Sequence, residues 1–264
     1  MRTILSAFLL LTLISLAACS SAPKQDLRPA NELYAEAQEE MKDSNYEKSI
    51  KLLETLQSRY PYGRHAQQAL MEITYANYKL NEPEAALSSA DRFIKQYPNS
   101  QNLDYIFYIK GMINFNDNAG FFSRLSGQDP AERDPQTLRD SFDSFRELVT
   151  RFPESPYAAD SRLRMQFLVN TLSRSDIHIA SYYLRRGAYI AAINRANKVL
   201  KEFPQTRQTR DALQIMVLAY DAMGQKDLRD DTQRVLDLNI AKDGIKPGVK
   251  ESMEKSGSWW RFWL

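Results

Sequence analysis

The chain has 264 residues, 35 basic and 33 acidic side chains, 43% apolar residues, 9 glycines and 11 prolines. A balance this even excludes a dedicated nucleic-acid binder, which carries a strong basic excess, and the composition is globular rather than disordered or collagen-like. Cysteine occurs once, at Cys19, which leaves no disulfide framework and no thiolate metal site.

The first element is apolar. Arg2 precedes a run from Ile4 to Ala18 broken only by Ser6, Thr12 and Ser15. It is shorter than the about 20 residues that span a bilayer and has the form of a secretory signal. It ends Leu16-Ala17-Ala18-Cys19. Small residues fit the groove of a signal peptidase, and the thiol can accept a diacylglyceryl group. The pattern resembles the bacterial lipobox. Residues 1–18 are therefore expected to be a lipoprotein signal peptide. Cys19 is the expected lipid attachment site, with a diacylglycerol and an N-acyl chain, and no other cofactor is expected. Ser20 and Ser21 follow the cysteine. In lipoproteins of this kind an Asp there marks inner-membrane retention, so the resemblance implies the outer membrane. Residues 19–31, with Pro23, Pro29 and no apolar periodicity, read as a flexible tether.

The next elements repeat. Leu33, Tyr34, Ala37 and Met41 share one face and predict a helix; Asp43-Ser44-Asn45 predicts a turn; Tyr46, Ile50, Leu53, Leu56 and Tyr60 predict a second helix. Pro61 closes it, because proline cannot continue a helix and holds the residue before it extended. The closing phrase recurs at Tyr97-Pro98, Phe152-Pro153 and Phe203-Pro204, each with a basic residue just upstream. Ala86, Ala90, Phe93 and Tyr97 repeat the second-helix face. The prolines stand 37, 55 and 51 residues apart. A tetratricopeptide unit takes about 34, so the last two intervals hold roughly 21 and 17 extra residues. A fifth unit, 211–239, keeps the turn Met223-Gly224-Gln225 and lacks the closing proline, as terminal repeats do when they cap a stack. The pattern resembles the tetratricopeptide repeat. Tyr46, Tyr189, Ala86, Ala192 and Ala196 match its small and aromatic positions, while Ser49, Ser141 and Arg229 replace an expected alanine. The expected fold is all-α, a solenoid of about five tetratricopeptide-like helix-turn-helix repeats. Repeats one to three would occupy 32–156 and repeats four and five 157–240.

Within the third unit, residues 116–136 form a punctuated insertion with Gly120, Phe121, Phe122, Gly127, Pro130 and Pro135. Charge is uneven along the chain. From Asn31 to Tyr60 seven acidic residues face four basic ones; from Arg185 to Arg210 seven basic residues accompany Glu202 alone. The basic run is either a surface for an acidic partner or a solvated helix face. His65 and His178 lie in different units without cysteine or acidic spacing that would complete a zinc site. No glycine-rich phosphate loop occurs. Glu39-Glu40 and Asp230-Asp231 are neighbours on predicted helices, where adjacent side chains diverge and cannot act as an acid–base pair. No catalytic residue and no metal site is expected. Residues 241–264 read as a flexible aromatic tail holding Trp259, Trp260 and Trp263, all the tryptophan of the chain. Three readings stay open for it: mimicry of a substrate's end, settling at lipid headgroups, or docking on the last helices.

Several phrases carry a more specific likeness. They are Arg59-Tyr60-Pro61-Tyr62-Gly63, Asp91-Arg92-Phe93-Ile94, Asn102-Leu103-Asp104-Tyr105, Arg133-Asp134-Pro135-Gln136, Tyr182-Tyr183, Arg186-Gly187-Ala188-Tyr189, Asn194-Arg195 and Thr209-Arg210-Asp211-Ala212-Leu213. Together with the insertion and the lipobox they resemble the BamD (ComL) family of outer-membrane lipoproteins, from the lipobox to about residue 239. The resemblance implies a non-enzymatic scaffold, lipid-anchored at the outer membrane and facing the periplasm, that serves assembly of β-barrel proteins. Its C-terminal repeats would bind a BamA-like insertase. Its N-terminal repeats would meet unfolded β-barrel precursors and other Bam lipoproteins. No nucleic-acid partner is implied beyond an older naming of the family for DNA uptake. First helices usually line the concave face of such repeats. Tyr75, Tyr78, Tyr105 and Tyr108, with Arg92, are thus candidate substrate-peptide contacts, core packing and a structural ion pair being the alternatives. Arg185, Arg186, Arg195 and Arg210 are candidate partner contacts. The rival function is a tetratricopeptide lipoprotein that organises peptidoglycan or cell-wall enzymes.

Overall fold

The computed structural model describes residues 28–115, 135–244 and 248. The signal peptide, Cys19, nearly all of the tether, residues 116–134 of the insertion, and residues 245–247 and 249–264 of the aromatic tail lie outside them. The described residues form ten helices and no strand: α1 Ala30–Lys42, α2 Tyr46–Arg59, α3 Arg64–Lys79, α4 Pro83–Gln96, α5 Leu103–Phe115, α6 Pro135–Arg151, α7 Ala158–Arg185, α8 Tyr189–Glu202, α9 Gln208–Ala222 and α10 Lys226–Asp243. The all-α, repeat-built expectation is met. Pro135 and Gln136, placed in the insertion by sequence, open α6, where proline suits a first turn that has no use for its missing N–H.

Two kinds of turn alternate, each with a chemical cause. Within a repeat the helix ends in a left-handed residue: Ser44 (φ 62°), Asn81 (59°), Gly187 (75°) and Gly224 (70°). The next N–H then folds back: Asn45 to the Glu40 carbonyl, Glu82 to Asn77, Ala188 to Tyr183 and Gln225 to Tyr220, all at 2.8–2.9 Å. This six-to-one bond satisfies a carbonyl that the helix end would leave bare. Between repeats the aromatic–proline phrase acts. Tyr60, Tyr97, Phe152 and Phe203 donate their N–H to Leu56, Phe93, Leu148 and Val199 as the last helical bond. Proline then takes the second position of a β-turn, closed by Ser100 N–H to the Tyr97 carbonyl, Ser155 to Phe152 and Thr206 to Phe203 at 3.0–3.1 Å.

The chain divides into two compact units, Met1–Glu82 and Pro83–Leu264. In the first, Leu33 and Ala37 of α1 meet Leu52, Leu53 and Leu56 of α2 and Ala69 and Ile73 of α3, with Tyr34, Met41 and Tyr60 at the edge. In the second unit two cores share one helix. The first half of α7 brings Leu168 and Leu172 to Leu138 and Phe145 of α6 and to Phe203. The second half brings Ile177, Ala180 and Leu184 to Ala192, Ile193, Ala196 and Val199 of α8 and to Ala212, Ile215, Met216 and Ala219 of α9. Each fully buried Leu or Phe contributes about 1.5–3 kcal/mol, so α7 is tied along its length. It runs 28 residues, and the surplus seen between Pro153 and Pro204 is therefore continuous helix.

The two serines that replace alanine have a matching role. Ser49 Oγ donates to the Ala37 carbonyl and Ser141 Oγ to the Gly111 carbonyl, both at 2.9 Å and both fully buried. A small residue on the second helix thus lies against a small residue on the first. The hydroxyl fits because it has a carbonyl to bond; buried and unbonded it would cost about 1–3 kcal/mol.

Candidate functional site

Tyr105, Tyr108, Met112 and Phe115 follow one another along α5 at helical spacing and line one stripe. The start of α7 faces it. Tyr108 stacks on Tyr157 with centroids 4.7 Å apart and 22° between planes, and Tyr105 tilts toward the same ring at 5.8 Å. The Tyr108 hydroxyl donates to Asp160 Oδ2 at 2.9 Å, and Arg164 Nε donates to the same oxygen at 2.6 Å. Burial, and then the Asp160 carboxylate, push the Tyr108 hydroxyl above its ordinary pKa, so it stays a donor. Further along, the Arg164 guanidinium covers the Phe115 ring at 4.9 Å and Phe167 meets Phe115 at 5.6 Å. Phe167 and Leu163 remain exposed beside them. The face is thus aromatic with a polar centre, able to hold apolar side chains and bond main-chain groups.

In the first unit the equivalent place, between α1 and α3, is more polar. The Tyr34 hydroxyl donates to Glu72 Oε1 at 2.5 Å, and Gln38 Nε2 donates to Glu72 Oε2. Burial raises the Glu72 pKa against the lowering effect of these two donors. Burial, then the Glu72 bond, drive the Tyr34 hydroxyl far above its usual range. Tyr34 also lies against His65, with ring centroids 5.1 Å apart.

The sequence-derived candidates distribute as follows. Tyr105 and Tyr108 sit together in the second unit, on the stripe described. Tyr75 and Tyr78 belong to α3 of the first unit and are half-buried; Tyr75 and Tyr46 of α2 meet edge to face with centroids 6.4 Å apart, which engages Tyr75 in packing between helices. Arg92 is exposed on α4. Met112, Phe115, Tyr157, Asp160, Arg164 and Phe167 were not singled out. The 3-4-3 spacing that continues from Tyr105 was a usable signal for the first two.

The four arginines do not form one patch. Arg185 is exposed, and Arg186 is exposed with its guanidinium 5.4 Å from the Tyr182 ring. Arg195 bonds Asp176 at 2.9 Å, and Arg210 is buried. Asp176, itself 5% exposed, also takes Lys198 at 3.1 Å and Arg139 at 4.0 Å. Both of these cations reach Glu202 as well. The charge excess counted along α8 is therefore partly spent on one buried acid. Among the described residues no three His, Cys, Asp or Glu side chains gather as metal ligands, and no helix is long and apolar enough to cross a membrane.

The helix–turn–helix repeats define an all-helical repeat protein, and comparison with known proteins narrows it. The profile of the YfiO family, described as outer membrane lipoprotein, matches residues 26–236. A relative from Neisseria meningitidis serogroup B, called outer membrane protein assembly factor BamD, is 43% identical over 88% of this chain and 86% of its own. Relatives of the same name from Vibrio cholerae (36% identical; 87% of this chain, 96% of its own) and Pasteurella multocida (35%; 94% and 96%) also match. The chain belongs to the BamD/YfiO family of outer membrane lipoproteins.

Proposed function

We propose that the chain is a non-enzymatic scaffold lipoprotein of the outer-membrane β-barrel assembly machinery. The observation that carries this is likeness over nearly the whole chain to relatives named as outer membrane protein assembly factors. The lipid on Cys19 would hold the repeats at the periplasmic face of the outer membrane, and no cofactor beyond those acyl chains takes part. Three acyl chains exceed the two-signal requirement for stable anchoring. The Tyr105–Tyr108–Tyr157 face and the Tyr34–Glu72 face would receive unfolded barrel precursors. A BamA-like insertase would dock on the C-terminal repeats through Arg185 and Arg186, and other Bam lipoproteins would bind the N-terminal repeats.

Purification of the lipidated protein from its native membrane tests the reading. Recovery of a barrel insertase as the main partner is expected, with Cys19→Ala releasing the protein from the membrane when that partner is absent. Recovery on murein with cell-wall enzymes, and without an insertase, would refute it in favour of the peptidoglycan-organising alternative. Photo-crosslinkers at Tyr105 and Tyr157 should capture barrel precursors; capture only near α9 and α10 would remove the assigned face.

A further inference from the structure

Helix α10 joins the fold through Leu236, which is buried against Leu213 and Val217 of α9. Another side of the same helix carries Leu228, Asp231, Val235, Leu238 and Lys242, all exposed, at intervals of three, four, three and four residues. Leu228 and Val235 are each 47% exposed and Leu238 71%. This is the a/d spacing of a two-helix seam. It is particular to α10. Gly187 and Gly224, the left-handed residues that precede α8 and α10, stand 37 apart and set the two helices in register. Val199 and Leu236 then coincide, both buried. The seam positions Leu228, Val235 and Leu238 correspond to Ala191, Lys198 and Lys201 of α8. Ile193 and Ala196, buried in the core that α8 shares with α9, correspond to Asp230 and Gln233. A further repeat helix would need apolar residues at those two places, so the seam is not the bare end of an interrupted stack.

We propose that this seam pairs α10 antiparallel with α10 of a second copy of the chain. The order of the five residues selects both the partner and the direction. In an antiparallel pair each a residue faces a d residue of the other helix. Asp231 then meets Lys242 of the second copy, and Val235 meets Leu238. The two-fold axis repeats both layers. Two charged layers thus flank two apolar ones over the eleven residues from 231 to 242, about 16 Å at 1.5 Å per residue. A parallel pair would set Asp231 against Asp231 and Lys242 against Lys242, with like charges repelling at both ends. Asp231 already accepts a bond from Arg234 of the same helix at 2.6 Å. A carboxylate takes several donors, so Lys242 joins that exposed pair rather than breaking it. Ion pairs of this kind add little strength at a surface. They fix register and direction, while Val235 and Leu238 supply the apolar burial. Four layers make a weak dimer, one that concentration controls.

Sedimentation equilibrium of the full-length protein in density-matched detergent micelles, over a range of concentrations, tests the proposal. A reversible monomer–dimer equilibrium is expected. Asp231→Lys and Lys242→Asp each place like charges in both charged layers, and each should lower the association constant by roughly tenfold or more. The two together should return it to within about threefold of wild type. Leu238→Lys should abolish the dimer. All these side chains are exposed, so the melting temperature of each variant as a monomer should match that of wild type. Direction is read by oxidation: a mixture of Val235→Cys with Leu238→Cys protein should give more disulfide-linked dimer than either alone. A wild-type chain that stays monomeric throughout overturns the proposal. So does a dimer that survives Asp231→Lys or Leu238→Lys, as two chains merely sharing a micelle would. Failure of the double charge swap to restore association, or faster linking of either cysteine variant with itself, overturns the antiparallel seam.

Discussion

Gly111→Ala places the packing of the third repeat under a direct test. A Cβ at this position would lie 2.5, 2.7 and 2.8 Å from Cε1, Cδ1 and Cζ of Phe145. Carbon atoms in contact rest at about 3.5–4.0 Å, so the ring has to retreat by about 1 Å. It has little room to do so. Phe145 is fully buried among Leu138, Leu168 and Leu172, with the ring centroids of Tyr108 and Phe115 6.1 and 6.3 Å from its own. Overpacking of this kind costs about 1–3 kcal/mol, while alanine in place of glycine in a helix returns up to about 1 kcal/mol. The net loss is about 1–2 kcal/mol, a fall in melting temperature of roughly 3–6 °C for a unit of this size. Circular dichroism and denaturant midpoints on the purified full chain read it. The ring is the cause, so Gly111→Ala combined with Phe145→Leu should lose less than the sum of the two single changes, by about 1 kcal/mol. A Gly111→Ala protein as stable as wild type, or strict additivity of the pair, would refute the reasoning.

Asp176→Ala removes the shared partner of Arg195, Lys198 and Arg139. These cations are about a third exposed and regain water, so the expected cost is about 1–3 kcal/mol rather than that of a fully buried pair; denaturation midpoints check it. For the same reason Arg195→Glu should lower stability, and Arg185→Glu, on an exposed side chain, should leave the melting temperature within about 1 °C. Tyr108→Phe strips the hydroxyl from Asp160 and keeps the ring stack, so a loss of about 0.5–1.5 kcal/mol is expected, against a larger loss for Tyr108→Ala. The raised pKa of Glu72 makes a stability contribution that is full below the unfolded-state carboxylate pKa and is lost as pH rises through the raised folded value. The Glu72→Gln protein should therefore gain on wild type as pH climbs through and above the carboxylate range. A constant difference across that range in urea titrations would show that Glu72 does not titrate differently on folding.

The helix faces and both turn types could be read from the sequence because each rests on local chemistry. Leu33 and Ala37 are buried where the apolar spacing put them, and Ser44 and Gly224 supply the left-handed residues where turns were expected. The length of α7 has a local signal too, since no glycine or proline stands between Pro156 and Gly187. What escaped was long-range. Tyr108 and Asp160 lie 52 residues apart in sequence, so nothing near either one announces the bond. Counting charge along α8 could not reveal that Arg195 answers an acid on the preceding helix. Charge is the strongest prior for exposure, yet Arg210 is buried in the first turn of α9.

The buried bond between Ser141 and the Gly111 carbonyl sits on both sides of the interval from residue 116 to 134. The two helices of that repeat are therefore held in register by contacts inside their own interface. Closing a longer loop adds only about 0.6 kcal/mol per doubling of its length, a small sum beside the core that Phe145 anchors. A longer connection between α5 and α6 should therefore leave the Ser141–Gly111 bond in place. An epitope tag placed between α5 and α6 would test how far the register of this repeat rests on that interface alone.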